Sequence, residues 1–378
     1  MKNILLLTSP SPGRKQYGFC LKEKRFPLGI GYIISMLRQN GYNATFIDLY
    51  TKRKDINFLL YDVIGIYVNT ICFKNGTLPL LENIKACGYK GKIVVGGPHV
   101  SVLPDTIPDY VDYIVKGEGE YPFLSILQEN AQDRIIESDR IGDLDVLPRV
   151  SYDIYDLSNY KLSFEEDNTC KKVFVYSSSR GCPFGCKFCS SKTIYGRKWT
   201  CHSAERVVDD IKYLIQTYNV DGIYFREDNF TVDKNRIKEL CNLILKENIK
   251  IKWKCETRVD VPYNYLKLMK DAGCIIVYVG FESGSPHMLD VMNKQINIEQ
   301  SKVFANNCKQ LGIKVYGSFI HGIPYETKKD IELTNKFIEE IKLDRVFKNK
   351  YIALPGSEFY DEIIQDPEMI RKYNVLTV

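Results

Sequence analysis

Three of the twelve cysteines in this 378-residue chain stand together, in Ser179-Arg180-Gly181-Cys182-Pro183-Phe184-Gly185-Cys186-Lys187-Phe188-Cys189. A closed zinc site takes four ligands, usually as paired Cys-x-x-Cys units, and no second pair is present. Compact runs of thiolates hold iron–sulfur clusters, and three protein ligands on a four-iron cluster leave one iron open to a substrate or cofactor. Gly181 and Gly185 permit the tight backbone path such a wrap needs. The other cysteines (Cys20, Cys72, Cys87, Cys170, Cys201, Cys241, Cys255, Cys274 and Cys308) are scattered.

The composition suits a soluble globular protein with ample core: 44% of residues are hydrophobic and 26% charged. A net charge of +5 without a dense Lys/Arg run gives no argument for nucleic acid. No apolar run approaches the roughly 18 to 20 residues of a membrane span. The start, Met1 to Thr8, lacks a small-residue cleavage site and reads as a first strand rather than a signal peptide. A reducing, cytoplasmic setting is expected, which disfavours a disulfide framework.

The elements that must position the cysteines come in alternation. In the first third, strands are expected over 4–8, 44–49, 63–68, 92–95 and 110–115. Helices are expected over 28–40 and 78–87 and in a segment reaching about 129. Strands separated by helices at this spacing imply right-handed crossovers and a doubly wound parallel sheet. Ligands of such sheets sit beyond the carboxyl ends of the strands, here Ser9–Gly13, Asn69-Thr70, Gly96-Gly97 and Gly117–Gly119. After a linker over 141–170, the alternation resumes with strands over 172–176, 222–225, 250–255, 275–281, 314–319 and 345–352. The expected fold class is therefore α/β: a Rossmann-like domain over 1–140, then a partial (β/α)6 barrel over 171–355 and a short tail over 356–378. Barrel chemistry belongs at the carboxyl ends of the strands.

Cys182-x-x-x-Cys186-x-x-Cys189 at the end of the first barrel strand resembles the signature of the radical S-adenosylmethionine superfamily. The resemblance implies a 4Fe-4S cluster on Cys182, Cys186 and Cys189, with S-adenosylmethionine chelating the open iron. One electron from the cluster would then cleave the sulfonium to a 5′-deoxyadenosyl radical. Phe188 matches the apolar residue placed against the adenine. Phe225-Arg226-Glu227-Asp228-Asn229-Phe230 resembles the segment that holds the methionine amino group, with Glu227 as the expected contact. Cys255-Glu256-Thr257-Arg258 ends the third barrel strand, where Arg258 could pair a carboxylate. Val279-Gly280-Phe281-Glu282-Ser283-Gly284-Ser285 resembles the ribose-contacting turn, with Glu282 facing hydroxyls. Ser318, in the stretch Tyr316–Pro324, falls on the adenine-side fifth strand, and Leu354-Pro355-Gly356-Ser357 resembles the closing segment.

The first domain resembles the cobalamin-binding domain that precedes many enzymes of this superfamily. The stretches that carry the resemblance are Phe26-Pro27-Leu28-Gly29-Ile30-Gly31-Tyr32, Val94-Val95-Gly96-Gly97-Pro98-His99 and Lys116-Gly117-Glu118-Gly119-Glu120. It implies cobalamin contacts at Ser9, Leu28, Gly29, Asn69, Thr70, Gly96, Gly97, His99, Gly117, Glu118 and Gly119. One departure stands out. The histidines are His99, His202, His287 and His321, so the loop after the first strand lacks the Asp-x-His-x-x-Gly histidine that ligates cobalt from below. Cobalamin is expected to bind with its own base detached and no histidine on the metal.

The leading reading is a cobalamin-dependent methyltransferase acting on an unactivated carbon of a small metabolite. S-adenosylmethionine would serve as methyl donor and as radical source, with flavodoxin or ferredoxin as electron donor. Both cofactors must reach one substrate, so the carboxyl ends of the two sheets are expected to face each other. The alternatives are a radical rearrangement, cyclisation or oxidation with or without cobalamin, a first domain that has lost its cofactor, and methylthiolation. Methylthiolation needs a second cluster near Cys20, Cys72 and Cys87. The tail over 356–378 is expected to leave no room for an additional cluster domain, an expectation that favours a small substrate over a peptide.

Overall fold

The computed structural model describes residues 2–11, 24–52, 54–164 and 169–373. Pro12 and Gly13 of the expected first loop, and Cys20, lie outside the described residues. The chain divides into two compact units: one runs to Gly142 and takes in Val146–Lys161, the other takes in Asp143–Asp145 and the chain from Leu162.

In the first unit β1 (Ile4–Thr8) is buried along its whole length, as a strand covered on both faces must be. It is joined by β2 (Ala44–Ile47), β3 (Val63–Tyr67), β4 (Lys92–Gly96), β5 (Tyr113–Lys116) and β6 (Ile135–Glu137), all parallel, in the order β2-β1-β3-β4-β5-β6. Side chains alternate between two cores. Ile4 and Leu6 pack with Ile30, Ile34 and Phe123 of the helices Leu28–Gln39 and Glu120–Leu127, whereas Leu5 and Leu7 pack with Leu81 and Ile84 of the helix Leu78–Ala86. The sheet is doubly wound as the alternation implies, with one strand more than expected. β6 is only three residues long, Ile-Ile-Glu, and half exposed at the sheet edge, too short for a periodicity to mark it.

Residues 146–161, read as linker, pack onto this first unit. Phe26 lies 4.9 Å from both the Tyr155 and Tyr160 rings, and the Tyr155 hydroxyl donates to the Pro27 carbonyl at 3.0 Å. Gly31 is obligatory beneath them, because a Cβ there would meet Val150 at 2.5 Å and the Tyr155 hydroxyl at 2.7 Å.

The second unit holds β7 (Val173–Tyr176), a two-stranded ribbon of β8 (Ser179–Arg180) and β9 (Thr200–Cys201), then β10 (Gly222–Phe225), β11 (Lys252–Thr257), β12 (Cys274–Glu282), β13 (Lys314–His321) and β14 (Arg345–Lys350). Its main sheet runs β14-β13-β12-β11-β10-β7, every pair parallel and in chain order, the wind of an open barrel. Helices cover one face: Tyr176 donates to Asp210 of the helix Ala204–Tyr218 at 2.8 Å, and Phe281 packs on Phe337 of the helix Lys328–Ile341. Alternation along β11 therefore turns Trp253 and Cys255 toward the helices and Lys254, Glu256 and Arg258 to the concave face.

Candidate active site

The cysteine loop leaves the β8–β9 ribbon at Gly181, whose φ is +83°; a Cβ there would meet the Lys198 carbonyl at 2.1 Å. Only glycine satisfies both conditions. Cys182, Cys186 and Cys189 are free and half-buried. The Cys189 N–H donates to the Cys186 carbonyl at 3.1 Å, Cys182 Sγ accepts the Phe184 N–H, and Cys189 Sγ accepts the Ser191 N–H at 3.5 Å. Burial pushes the Cys182 thiol up and the Cys189 thiol to about 11, so a bound cation is what would draw them into the thiolate form. Among the described residues no three His, Cys, Asp or Glu side chains could hold a single ion. Three thiols within eight residues are the donor set that a four-iron cluster takes, one thiolate to each of three irons.

Distant elements hold the loop. Its Lys187 N–H donates to the Met292 carbonyl at 3.0 Å, Asn293 Nδ2 donates to the Gly185 carbonyl at 2.9 Å, and the Phe359 N–H donates to the Lys187 carbonyl at 3.1 Å. Glu358 pairs with Lys192 and Arg197, and Thr193 Oγ1 donates to the Gly356 carbonyl. The segment after β14, read as closing segment and tail, thus braces the loop through the short helix Glu358–Ile363.

Of the residues expected to touch S-adenosylmethionine, Glu227 is engaged by the turn that follows the first barrel strand. Its buried carboxylate accepts the Ser178 N–H at 2.6 Å and hydroxyl at 2.5 Å, and the Ser179 hydroxyl as well. The Ser178 carbonyl in turn accepts Arg236 Nη2 at 3.1 Å and the His202 N–H at 2.9 Å. Glu227 therefore fixes the turn that feeds the cysteine loop. Burial raises its carboxyl pKa, against the Arg236 charge and the serine donors.

Arg258 is 6% exposed, and its guanidinium lies 3.8 Å from the Phe184 ring centroid. Nη2 donates to the carbonyls of Lys294 at 2.7 Å and Gln295 at 3.2 Å. Glu282, left-handed at φ +66°, accepts from Lys294 Nζ at 3.0 Å, and both side chains are buried. Lys294 Nζ also stands 5.9 Å from the Phe188 centroid. Ser318 is half-buried on the concave face and accepts Asn349 Nδ2 at 3.0 Å. Arg258, Glu282 and Phe188 thus share one neighbourhood with the cysteine loop. Sequence reasoning missed Lys294 and Arg236, for which no local signal exists. It also missed Lys254 and Glu256, which strand alternation could have placed beside Arg258.

In the first unit the order β2-β1-β3 puts the switch point between β1 and β3, where doubly wound sheets take ligands. Ser9 donates to the Tyr67 carbonyl at 2.9 Å and lies 2.6 Å from Thr77 Oγ1, which must be the donor of that pair. Asn69 caps the turn Thr70–Cys72, its Oδ1 accepting the Ile71 N–H. Ser101 ties two glycine loops together: its hydroxyl donates to the Gly97 carbonyl at 2.9 Å and accepts the Gly117 N–H at 3.0 Å. Gly97 (φ +109°) and Gly117 (φ +84°) both need the left-handed region, and a Cβ on Gly97 would meet the Tyr67 ring and Val68 carbonyl at 2.9 Å. Gly96 has no neighbour closer than 3.7 Å to a notional Cβ, and Gly29 has none within 4 Å. Such bare backbone suits close approach by a ligand. Leu28 is half-buried beside Gly29, and Gly119 precedes the helix Glu120–Leu127.

Two residues expected at cobalamin, His99 and Glu118, have buried side chains with partners of their own. His99 is fully buried, stacked on Phe73 at 3.9 Å, and hydrogen-bonded through Nε2 to Thr106 at 2.9 Å. Burial holds it neutral, with a pKa near 4. Glu118 is also buried, accepting the Ile141 N–H at 2.7 Å and pairing with Arg140. Of the cysteines weighed for a second cluster, Cys72 is buried, and Cys87 lies at the exposed end of a helix.

Comparison with known proteins gives the family of both units. Residues 176–338 match the radical SAM superfamily, and residues 15–127 match the B12 binding domain. "Uncharacterized methyltransferase PH0819" of Pyrococcus horikoshii is 30% identical, over 93% of this chain and 82% of that protein. The "Anaerobic magnesium-protoporphyrin IX monomethyl ester cyclase" of Rubrivivax gelatinosus is 26% identical, over 93% and 69%. Among solved structures, the cobalamin-dependent S-adenosylmethionine radical enzyme OxsB superposes with TM-score 0.70 at 21% identity, and this chain covers 56% of its length. The methyltransferase TsrM of Kitasatospora setae superposes with TM-score 0.73 at 15% identity, covering 97% of this chain and 75% of that one. At these identities the solved structures show the fold.

The fold and site define a radical enzyme of α/β architecture. The chain belongs to the radical S-adenosylmethionine enzymes that carry a B12-binding domain.

Proposed function

We propose that this enzyme transfers a methyl group to an unactivated carbon of a small molecule, using a 4Fe-4S cluster, S-adenosylmethionine and cobalamin. The observation that carries the reading is the pairing in one chain of a braced three-cysteine loop with a glycine-lined switch point in a B12-binding sheet. The relative at 30% identity, named a methyltransferase, supports it. When bound, these groups supply a hydrogen-abstracting radical and a transferable methyl, so that a C–H bond becomes C–CH3.

The chain's own residues bind and orient. Cys182, Cys186 and Cys189 hold the cluster, and Glu227, through Ser178, sets the entry of their loop. Phe188, Glu282, Arg258 and Ser318 surround the place for S-adenosylmethionine. Ser9, Leu28, Gly29, Asn69, Thr70, Gly96, Gly97, Gly117 and Gly119 line the place for cobalamin. No histidine precedes His99 in the sequence and the His99 side chain is buried, so this domain would hold cobalamin without a histidine from the loop after the first strand, and its own base is expected to be detached. An external one-electron donor of the flavodoxin or ferredoxin type completes the system. Among the described residues no helix is long and apolar enough to cross a membrane.

The test is product analysis after anaerobic reconstitution with iron, sulfide and hydroxocobalamin under a chemical reductant. Methyl transfer requires both S-adenosylhomocysteine and 5′-deoxyadenosine from S-adenosylmethionine. Formation of 5′-deoxyadenosine alone favours radical cyclisation, the second reading, which the cyclase relative at 26% identity supports.

A further inference from the structure

The loop Cys182–Cys189 carries one aromatic residue between each pair of cysteines, and each has a buried cation on it. Arg258 stacks at 3.8 Å on Phe184, between Cys182 and Cys186. Lys294 stands 5.9 Å from Phe188, between Cys186 and Cys189. Both cations are 6% exposed. They are joined, since Arg258 Nη2 donates to the Lys294 carbonyl at 2.7 Å.

The backbone is bent to make this arrangement. Asn293 (φ +50°) and Gln295 (φ +56°) flank Lys294 in the left-handed region, and Glu282 (φ +66°) sits at a bulge in β12. A Cβ on Gly280 would lie 2.1 Å from Glu282 Oε1 and 3.0 Å from Lys294 Nζ, so that glycine makes room for the pair. Non-glycine residues held in sparsely populated conformations persist where the surroundings over-determine them.

The two cations differ in their counter-charges. Lys294 is neutralised by buried Glu282 at 3.0 Å. Among the described residues Arg258 pairs with Asp260 alone, 3.9 Å from Nε and 40% exposed, and Nε itself lacks a hydrogen-bond partner. Of the two cations stacked on the loop, one is compensated by a buried carboxylate and the other weakly, while Asp228, which accepts the Ser191 hydroxyl at 2.8 Å, adds a negative charge beside Cys182 and Cys189.

We propose that Arg258 and Lys294, with Glu282 as counter-charge, set the reduction potential of the cluster. The inference rests on the reading that the three cysteines hold a 4Fe-4S cluster. On reduction the cluster gains one electron from an external reductant and one unit of negative charge. Uncompensated positive charge in a desolvated site favours that more negative state, and local charge is one of the levers that sets cluster potentials. Removing the Arg258 charge makes the cluster harder to reduce. Removing the Glu282 charge frees Lys294 and makes it easier to reduce.

The experiment is a potentiometric titration of the full chain, anaerobically reconstituted and without S-adenosylmethionine, followed by electron spin resonance of the reduced cluster. Wild type, Arg258→Lys, Arg258→Met and Glu282→Gln are compared. With equal iron content, the midpoint of Arg258→Met moves negative, that of Arg258→Lys stays at the wild-type value, and that of Glu282→Gln moves positive. A merely structural role would not produce shifts of opposite sign. Midpoints that coincide with wild type, or move in the same direction, overturn the proposal. If Arg258→Met loses its iron, the Glu282→Gln shift alone decides. Wild-type protein that holds no four-iron cluster would instead overturn the functional reading.

Discussion

The Glu227 carboxylate accepts both the N–H and the hydroxyl of Ser178, at 2.6 and 2.5 Å, four residues ahead of the first cysteine of the loop. A residue at the carboxyl end of one barrel strand thus fixes the backbone leaving another. The Ser178 carbonyl is held from the opposite side by Arg236 and His202, so this peptide has little freedom.

Glu227→Gln should therefore act on cluster assembly before it acts on cofactor affinity. The amide brings an N–H2 toward serine donors in a buried site, a mismatch of about 1–3 kcal/mol. Lower iron retention and a lower Tm are expected, measured by iron analysis and thermal unfolding. Unchanged iron content with weakened S-adenosylmethionine binding would instead make Glu227 a cofactor contact.

Alanine at any of Cys182, Cys186 or Cys189 should abolish cluster assembly, because two thiolates leave a second iron without a protein ligand. Alanine at buried Cys241 or Cys308 should leave iron binding intact. Wild type should hold about four irons per chain. About eight would point to methylthiolation. Reductive cleavage of S-adenosylmethionine by the triple variant would overturn the cluster assignment.

Gly181→Ala tests whether the loop path itself is decisive. The substitution combines a left-handed backbone at φ +83° with a Cβ placed 2.1 Å from the Lys198 carbonyl. The conformation alone costs about 1–2 kcal/mol, before any clash. Iron content should fall, although every cysteine remains. Gly196→Ala, at φ +64° with nothing within 4 Å, should retain iron.

For cobalamin, reconstitution with hydroxocobalamin should give a stoichiometric complex by absorbance. The spin resonance of its cob(II) form should lack nitrogen hyperfine splitting from an axial ligand. Gly97→Val should weaken retention by distorting the loop that Ser101 ties to Gly117. Nitrogen splitting would refute the coordination proposed here.

Two buried histidines give stability a pH dependence. His99 and His202 both have pKa values lowered by burial from 6.5 to about 4. An unfolded chain binds more protons than the folded one between these limits. Their stabilising contribution is present above about 6.5 and is lost as pH falls toward 4, on the order of 3 kcal/mol for each. Tm should fall across that window, and His99→Gln should flatten the profile. A wild-type Tm independent of pH between 6.5 and 4 would contradict this.

The alternation of strand and helix, the cysteine loop and the strand-end glycines were legible in the sequence because each depends on neighbours along the chain. Side-chain period marks a strand or a helix face, and three thiols within eight residues must share a loop. The short edge strand β6 and the membership of residues 146–161 were not legible, since both depend on docking against a surface built elsewhere. The same holds at the site. Sequence placed Glu227, Arg258 and Glu282 at strand ends, but only the tertiary structure gave them their partners: Ser178 for Glu227, Phe184 for Arg258, Lys294 for Glu282. It also buried the His99 side chain in the core, stacked on Phe73. Burial and pairing of charges are set by contacts distant along the chain, and residue type at one position carries no record of them.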